Sequence, residues 1–563
     1  MAPRRKPPRS RRFSPGEREP PREALEPGSP KLLTLELHPD AFLDDDALRE
    51  AIARNAHLGA APFAWRVLRR SIDARRARVR IRAELEIWPG GEAPSLPAPA
   101  SLELPALSGA IEVAIVGAGP AGMFCAWQLA RHGIRARIFE RGKAIRERRR
   151  DLAALSQRGQ LNPESNYCFG EGGAGTFSDG KLYTRSDKRG PVREVLEALV
   201  AYGAPSQILV DARPHIGTNK LPRVITAMRE HLAGAGVDIA FDRRVDGLDL
   251  TAAGTAVSGV RLAGGEHIEV PAVVVAPGHS AHDVLDWLRL AGAAVELKPF
   301  AIGVRIEHSQ DAIDRMQYGE LAGHPALGAA SYRLVEQVPS GAAWSFCMCP
   351  GGYIVCAASQ PRRQVVNGMS PSQRRGRFAN SGFVAPVGPE QLAAVGLDPS
   401  DPFAGLAYQA QLEHRAYDVG GGGFVAPAQT LADFVADRPS RALPETSYHR
   451  GVIPSRLDDV LGQLAAPLRE ALQRLDHKMP GFAGEHAIAV GLESRTSCPV
   501  RVLRGREDFM SPSLAGLFPC GEGAGYAGGI VSAALDGMAV ADAVARRVGK
   551  TALPIGRVAE SDA

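Results

Sequence analysis

The chain has 563 residues, of which 45% are hydrophobic and 23% are charged. These values are ordinary for globular proteins and exclude collagen-like, coiled-coil and wholly disordered classes. The length suggests roughly three or four structural units. The unusual features are 61 glycines and an aromatic content of only 6%, which predict many close backbone approaches rather than large aromatic cores.

The net charge of +5 comes from the N-terminus. Residues 1–23 contain eight basic and three acidic residues, so the remainder of the chain is neutral. A Pro- and Arg-rich segment of this kind cannot bury apolar surface, and we interpret residues 1–30 as a disordered basic arm. The alternative is an arm that contacts nucleic acid, anionic lipid or a protein partner. Elsewhere in the chain, nucleic-acid binding is not expected.

The cysteine count and the hydropathy pattern bear on the compartment. Seven cysteines form no dense disulfide framework in a chain of this length, and their odd number favours reduced thiols. The N-terminus has no apolar signal core, and no apolar stretch approaches the roughly 18 residues that a membrane span needs. We therefore expect a cytoplasmic protein without a membrane partner.

The first folded segment after the arm is small. A strand over 32–37, a helix over 44–56 and strands over 65–72 and 79–87 predict an α+β domain at 31–88. The last of these strands alternates apolar and charged residues with a period of two, which indicates one buried face. Residues 89–109 contain five prolines and are interpreted as a linker.

Residues 111–142 have the pattern of a dinucleotide-binding unit, with a strand, a glycine turn at 117–122, a helix and a second strand that ends at Glu140. Gly117 makes the tight turn, Gly119 lets the backbone approach a pyrophosphate, and Gly122 lets the helix pack closely on the strand. The helix N-terminus then faces the phosphates. Glu140 is placed to accept hydrogen bonds from the adenosine ribose.

Two later segments favour FAD over NAD as the dinucleotide. Residues 272–278 form an apolar strand that ends in a glycine turn, and residues 517–523 form another that ends at Gly521 and Glu522. The second segment resembles the flavoprotein fingerprint in which an acid after a glycine binds the ribityl chain, with glutamate here in place of the commoner aspartate. The helix after it, 530–545, would direct its N-terminus toward the flavin pyrimidine ring.

A glycine-rich loop at 166–182 is predicted to line the isoalloxazine edge with exposed N–H groups. The alternative is a flexible surface loop. Residues 236–245 look like the strand and turn that present a backbone amide to adenine.

Taken together, these segments resemble a group of bacterial FAD-dependent dehydrogenase-like proteins, the putative NAD(FAD)-utilising dehydrogenases of the glutathione-reductase-type flavoprotein superfamily. The resemblance covers nearly everything after residue 31 and depends on several long strings in the expected order. The strings are RSIDAR at 70–75, PHIGT at 214–218, FCMCPGG at 346–352, ESRTSCP at 493–499 and GEGAGYAGGI at 521–530. The resemblance implies FAD binding and redox chemistry without a settled substrate.

The resemblance and the motifs together imply an α/β fold. They predict a Rossmann-like FAD-binding domain in two parts, 110–298 and 485–548, an inserted mixed α+β substrate domain at 299–484, and a tail at 549–563. FAD is expected to be non-covalently bound, and no metal is expected. The predicted FAD contacts are Gly117, Gly119, Pro120, Ala121, Gly122, Glu140, Arg141, Gly172, Gly173, Lys181, Val245, Gly278, Gly521, Glu522, Gly529 and Ile530.

Candidate substrate residues alternate along two segments of the chain. Arg305 and Glu307 share one face of a predicted strand, and Arg495 follows Glu493 in the same relation. In an ordinary sheet these faces would be solvated. In the competing interpretation Arg305 and Arg495 face one cavity above the flavin and hold an anionic substrate bidentately.

Cys347 and Cys349 lie two residues apart and admit a redox-disulfide interpretation. In a regular strand their side chains share a face, but their Cα atoms stand nearly 7 Å apart, at the upper limit of disulfide geometry. The alternative is two buried or pocket-lining thiols. No catalytic acid or base stands out.

The sequence therefore predicts an FAD-dependent oxidoreductase with a small-molecule substrate between the FAD domain and the inserted domain, and with hydride transfer at flavin N5. No second GxGxxG unit is present, so a nicotinamide donor, NADH or NADPH, would visit the flavin face directly. The alternative is a flavin-dependent RNA-modifying or redox-regulated binding protein that uses its basic arm.

Overall fold

The computed structural model describes residues 30–58, 62–75, 78–91, 102–184 and 190–550. The predicted basic arm, apart from residue 30, lies outside these ranges. So do residues 92–101 of the predicted linker and the tail after residue 550.

The N-terminal region is a three-stranded antiparallel sheet with one helix. Its elements are β1 (Lys31–Leu37), α1 (Asp45–Asn55), β2 (Phe63–Asp73) and β3 (Arg80–Pro89). The strand order is β1-β3-β2, and buried residues alternate along β3 as the period of two predicts. The edge strand β2 contacts the next region, because the backbone of Arg70 pairs with residues 210–212 and its side chain binds Asp211 at 2.7 Å.

The next region alternates strands and helices. Its elements are β4 (Val113–Val116), α2 (Pro120–Arg131), β5 (Ala136–Phe139), α3 (Ile145–Arg158), α4 (Val192–Ala201), α5 (Leu221–Gly234), β6 (Asp238–Ala240), β7 (Val245–Leu250), β8 (Val257–Leu262), β9 (His267–Glu269), β10 (Ala272–Val275), α6 (His282–Leu290) and β11 (Val295–Leu297).

A larger sheet with packed helices follows. Its elements are β12 (Phe300–Ser309), α7 (Gln310–Tyr318), β13 (Val335–Val338), β14 (Gly341–Cys356), β15 (Val366–Met369), β16 (Phe378–Val387), α8 (Pro389–Ala394), α9 (Ala404–Val419), β17 (Ala426–Thr430), α10 (Leu431–Val435), β18 (Val452–Pro454), α11 (Asp458–Leu461), α12 (Ala465–Lys478) and β19 (Ile488–Glu493). The chain then returns to the first sheet through β20 (Val500–Val502), β21 (Leu517–Pro519) and α13 (Ile530–Arg547).

The nucleotide-binding frame is a five-stranded parallel sheet of order β21-β10-β4-β5-β6. Strands β4 and β10 are buried along their whole length, as their continuous apolar sequences require when both faces are covered. Helices α2 and α13 cover one face and approach closely, since a Cβ on Gly537 would lie 2.1 Å from the Ala121 carbonyl oxygen. The carboxyl ends of β4, β10 and β21 therefore meet at one edge.

The second sheet has the order β13-β14-β16-β12-β19-β17-β18, with β15 paired to β14. Residues 341–356 form one long strand, β14, whose register against β16 shifts twice. Helices α11 and α12 are separate because Gly462 has a φ of +55°, which cannot continue a right-handed helix.

The predicted fold class is confirmed: an α/β protein with a Rossmann-like frame, a large mixed domain and a small N-terminal α+β region. Within the described ranges, no helix combines the length and the hydropathy needed to cross a membrane. In the same ranges, no cluster of three or more His, Cys, Asp or Glu side chains could hold a metal ion.

Candidate functional site

A cavity of about 860 Å³ lies between the carboxyl edge of the parallel sheet and the second sheet. Its walls come from all three regions of the chain. The predicted cofactor residues among its lining are Gly117, Gly119, Pro120, Ala121, Glu140, Arg141, Gly173, Lys181, Val245, Gly278, Glu522, Gly529 and Ile530. Trp344 to Met348 and Arg495 line it from the second sheet, and Arg69 lines it from β2.

The three glycines of the first turn differ in what surrounds them. Gly117 has a φ of +106°, and a Cβ there would lie 2.4 Å from the Ala276 carbonyl oxygen. A Cβ on Gly122 would lie 2.0 Å from the Gly117 carbonyl oxygen, so this residue fixes the contact of helix with strand. A Cβ on Gly119 would meet only Gly173, at 3.9 Å, and would project toward the cavity. The turn therefore has the three features that the sequence assigned to it.

Glu140 organises the backbone around this turn. Its carboxylate is buried and accepts hydrogen bonds at 2.9 Å from the N–H groups of Ala118, Gly142 and Gly170. Three charge-assisted hydrogen bonds hold the carboxylate at the end of β5 with one side toward the cavity. Glu140 is thus a structural residue of the turn as well as a candidate ribose ligand.

The glycine-rich loop is fixed in place by one arginine, contrary to the alternative of a flexible surface loop. Arg148 of α3 is fully buried and donates to four loop carbonyl groups. The acceptors are Asn166 at 2.9 Å, Tyr167 at 3.1 Å, Glu171 at 2.8 Å and Gly173 at 2.9 Å. The loop therefore presents Gly173 to the cavity on a rigid backbone.

Three predicted cofactor glycines do not line the cavity: Gly122, which packs the helix on the strand, Gly172 and Gly521. Gly172 donates its N–H to the Ala118 carbonyl at 2.9 Å and ties the loop to the first turn. Gly521 lies against Ala121 and donates its N–H to Asp536 at 2.7 Å. Gly172 and Gly521 have positive φ, so they shape the backbone behind the cavity wall.

The C-terminal wall of the cavity contains one half-buried acid, Glu522, and the first residues of one helix. Glu522 faces the cavity, and burial raises its pKa to about 7, although the charge of Lys298 lowers it. Helix α13 begins after Gly529 without a side-chain cap, as α2 begins after Gly119. Both helix N-termini border the cavity and leave N–H groups for an anionic ligand.

These features fit FAD. A Cβ at Gly119 would occupy space beside the first helix N-terminus, and an uncapped N-terminus there suits a pyrophosphate. Gly119 with α2 would hold the pyrophosphate, Glu140 the adenosine ribose and Glu522 the ribityl chain. Arg141, predicted as a cofactor contact, is held by ion pairs to Glu164 and Asp283 at 2.8 Å.

Arg305 does not present its guanidinium group to a substrate, which corrects the sequence interpretation. It is fully buried, and its five N–H groups all have acceptors. These are Asn380 at 2.8 Å, Asn367 at 3.2 Å, Glu493 at 2.9 Å, the Cys347 carbonyl at 2.7 Å and the Cys349 sulfur at 3.4 Å. Because β12 is a central strand covered on both faces, its polar face is neither solvated nor open to the cavity.

Glu307 also has a structural position instead of a place at the substrate. Its carboxylate is buried and accepts hydrogen bonds from Thr446 at 2.7 Å and from the N–H of Ser447 at 2.8 Å. Burial raises its pKa, and these donors lower it in part. The face of β12 shared by Arg305 and Glu307 thus holds the second sheet together.

Arg495 does line the cavity, but its charge is already neutralised. Its guanidinium group pairs with Glu413 of α9 in two hydrogen bonds of 3.0 Å, and both side chains are buried. Arg305 and Arg495 are therefore paired to different acids, and they do not form the two-arginine anion site that we predicted.

A cluster of two thiols and one ammonium group forms another part of the cavity wall. Lys181, at the end of the glycine-rich loop, places Nζ 3.8 Å from the Cys347 sulfur and 3.6 Å from the Cys349 sulfur. Cys347 is exposed and lines the cavity, whereas Cys349 is buried behind it. Lys181, predicted as a cofactor contact, lines the cavity and also contacts the two thiols.

The thiol cluster has a defined electrostatic character. A hydrogen bond with Cys349 lowers the pKa of Cys347 to about 6; desolvation of its sulfur within the cavity opposes this shift, and the charges of Lys181 and Arg305 support it. The pKa of Cys349 is raised by the same hydrogen bond and by burial. Asp179 binds both Lys181 at 3.3 Å and Arg374 at 2.6 Å. The contacts of Lys181 with the thiols and of Asp179 with Arg374 join segments more than 160 residues apart, so no local pattern in the sequence signals them.

Comparison with known proteins places the chain among FAD-dependent proteins. Residues 299–496 match the family described as FAD-dependent protein, C-terminal domain-like. Residues 115–148 match the NAD(P)-binding Rossmann-like domain, and residues 29–88 match a domain of unknown function. An uncharacterized protein of Clostridium beijerinckii is 41% identical over 435 residues, which cover 76% of this chain and 79% of that protein. The predicted cofactor, FAD, is confirmed.

Solved structures show more distant similarity. CtdE in complex with FAD is 12% identical, with 77% of this chain and 84% of that chain covered and a TM-score of 0.31. A geranylgeranyl bacteriochlorophyll reductase-like protein of Thermoplasma acidophilum is 13% identical, with 78% and 79% covered and a TM-score of 0.33. At these levels the two structures carry no inference about the reaction.

Proposed function

This chain belongs to one family with the uncharacterized Clostridium beijerinckii protein and carries the C-terminal domain of FAD-dependent proteins, and from that premise we propose that it is an FAD-dependent oxidoreductase. The proposal depends mainly on one observation, the cavity that the nucleotide-binding frame and the second sheet share. The glycine turn of the parallel sheet and the thiol cluster of the second sheet line the same space. A cofactor held by the turn would therefore adjoin a wall of titratable side chains.

The chain's own residues are suited to bind a substrate and to hold protons there. Lys181 is charged at neutral pH: burial disfavours its ammonium form, but the neighbouring thiols and Asp179 raise its pKa overall. It can donate a hydrogen bond to a substrate oxygen or stabilise an adjacent anion. Asp179 stays ionised, because Lys181 and Arg374 lower its pKa to about 2 against the effect of burial. These groups fix the charge of this wall over a wide pH range.

When bound, FAD supplies two-electron transfer between substrates, with hydride transfer at N5. The protein contributes the exclusion of water and the orientation of the substrate against the wall that Trp344 to Met348 form. We infer an anionic small-molecule substrate from Arg69, Arg213 and Arg333, three exposed residues that line the cavity. This set replaces the Arg305 and Arg495 pair as the basis for that inference.

The test is spectroscopic. The purified protein is expected to be yellow and to release FAD on denaturation, and anaerobic addition of NADH or NADPH, or of a reduced substrate, is expected to bleach the flavin absorbance. A protein that binds FAD but is reduced by no donor, and whose chemically reduced form is oxidised by no acceptor other than oxygen, would contradict the proposed function. Gly119→Leu is the negative control for FAD binding. The leucine side chain would project into the cavity beside α2, so this variant is expected not to bind FAD.

A further inference from the structure

Cys347 and Cys349 differ in accessibility, as the two members of a reactive thiol pair do. Cys347 is exposed on the cavity wall, and Cys349 is buried. The Cys349 thiol donates a hydrogen bond to the Cys347 carbonyl oxygen at 3.3 Å, and both sulfurs contact the ammonium group of Lys181. A positive charge beside a thiol favours the thiolate, which is the nucleophilic form.

The backbone of β14 produces this arrangement. Phe346 pairs with Gly382 and Cys349 with Asn380, so three steps along β14 occupy the length of two steps along β16. Such a bulge shortens the strand locally, which favours a smaller separation of residues 347 and 349 than the nearly 7 Å of a regular strand. The backbone of Cys347 has a φ of +48°, a left-handed conformation that residues other than glycine rarely adopt. Strained residues of this kind concentrate at functional sites.

We propose that Cys347 and Cys349 form a redox-active dithiol that reduces a small disulfide substrate carrying carboxylate groups. Cys347 is the attacking thiol and Cys349 the resolving thiol. The carboxylates would be held by Arg69, Arg213 and Arg333, which line the same cavity. The proposal rests on the proposed function only for the return of the oxidised pair to the dithiol.

The step balances in atoms and electrons. The Cys347 thiolate attacks one sulfur of the substrate, the substrate S–S bond breaks, and the leaving thiolate takes up a proton. Cys349 then loses its proton and attacks the Cys347 sulfur, which breaks the mixed disulfide and releases the second substrate thiol. The substrate gains two electrons and the protein pair loses two. Restoring the dithiol consumes two electrons and two protons, which the proposed flavin-dependent activity supplies.

The experiment uses the full-length flavoprotein with its thiols reduced and its flavin oxidised, and oxidised glutathione as the probe, without oxygen. Intact mass and peptide mapping follow the thiols, and flavin content is measured in the same samples. We expect wild-type protein to lose two hydrogens as a Cys347–Cys349 disulfide and to release two molecules of glutathione. Cys349→Ser is expected to stop at a glutathione adduct on Cys347, and Cys347→Ser to form neither product. Cys356→Ser, a buried cysteine in the same strand, is the matched control and is expected to react like wild type.

Three results would overturn the proposal. The first is a wild-type protein that retains its flavin and both free thiols. The second is a wild-type protein that stops at the glutathione adduct, which would show that Cys349 does not act as the resolving thiol. The third is oxidation of the pair by hydrogen peroxide but not by glutathione disulfide. Because this half-reaction needs no flavin turnover, its failure is distinguishable from failure of the proposed oxidoreductase activity.

Arginine recognition is tested separately. Arg213→Gln is expected to slow the reaction with oxidised glutathione at least about tenfold, the effect of losing one charge-assisted hydrogen bond. The same variant is expected to leave the rate with uncharged hydroxyethyl disulfide unchanged. Equal slowing with both probes would overturn the assignment of a carboxylate-bearing substrate.

Discussion

The ammonium group of Lys181 lies 3.6 Å from the sulfur of Cys349, although the two residues are 168 positions apart. Lys181 ends the glycine-rich loop of the nucleotide-binding frame, and Cys349 lies in β14 of the second sheet. The contact therefore joins the part of the protein that fits FAD to the part that carries the thiols. It also makes the reactivity of the thiols depend on a residue outside their own domain.

Replacement of Lys181 by methionine is expected to raise the pKa of Cys347. The hydrogen bond with Cys349 is the main cause that lowers the pKa of Cys347 to about 6, and the charge of Lys181 adds to it. Loss of the neighbouring positive charge disfavours the thiolate, and the alkylation rate of Cys347 at pH 7 should fall. The measurement is the rate of iodoacetamide labelling against pH, resolved by peptide mass. Lys220→Met, at an exposed position before α5, should leave the profile unchanged.

Glu140→Ala is expected to destabilise the protein before any effect on FAD is considered. The carboxylate accepts hydrogen bonds from three backbone N–H groups, and each buried donor left unpaired costs about 1–3 kcal/mol. Urea unfolding of the flavin-free protein would measure this loss. Glu147→Gln, on the exposed side of α3, is the control and should unfold like wild type. An unchanged unfolding midpoint for Glu140→Ala would show that the carboxylate does not hold the turn.

FAD affinity is expected to rise with pH up to about 7 because of Glu522. Burial raises the pKa of this acid to about 7, so below that pH the flavin-free protein holds it protonated. Hydroxyl groups of the ribityl chain would donate to the carboxylate and favour the ionised form, so binding releases a proton. The dissociation constant for FAD should therefore increase by up to about tenfold for each pH unit below about 7.

Glu522→Gln provides the matched control for this pH dependence. Glutamine is nearly isosteric and does not titrate, so the slope below pH 7 should disappear in the variant. Isothermal titration calorimetry with FAD would compare the flavin-free wild-type and variant proteins between about pH 5.5 and 8. This range includes the pKa of Glu522. A slope that persists in the variant would assign the proton to another group.

The sequence predicted what depends on local pattern. The turn at Gly117, the acid at Glu140 and the alternation along β3 each follow from residues within one strand or one turn. The burial of Arg305 could not be predicted this way. Alternation in β12 shows that Arg305 and Glu307 lie on the same face of the strand, but it does not show which residues cover that face. The thiol cluster required two further facts, the bulge in β14 and the position of the loop that ends at Lys181.

Arg305→Met is expected to cost stability and not substrate affinity. The substitution removes five hydrogen bonds and leaves Glu493 buried without its positive partner, a change that costs about 3–5 kcal/mol in comparable buried pairs. Burial already raises the pKa of Glu493 despite Arg305, so the variant should protonate this acid on folding. A group with a raised pKa destabilises the folded protein more as the pH rises, so the stability loss should be smaller at about pH 5 than at about pH 8. Arg315→Ala, which removes an exposed pair with Asp311, should change the unfolding free energy by less than about 0.5 kcal/mol. A fully stable Arg305→Met protein with weakened substrate binding would restore the original interpretation of Arg305 as a substrate ligand.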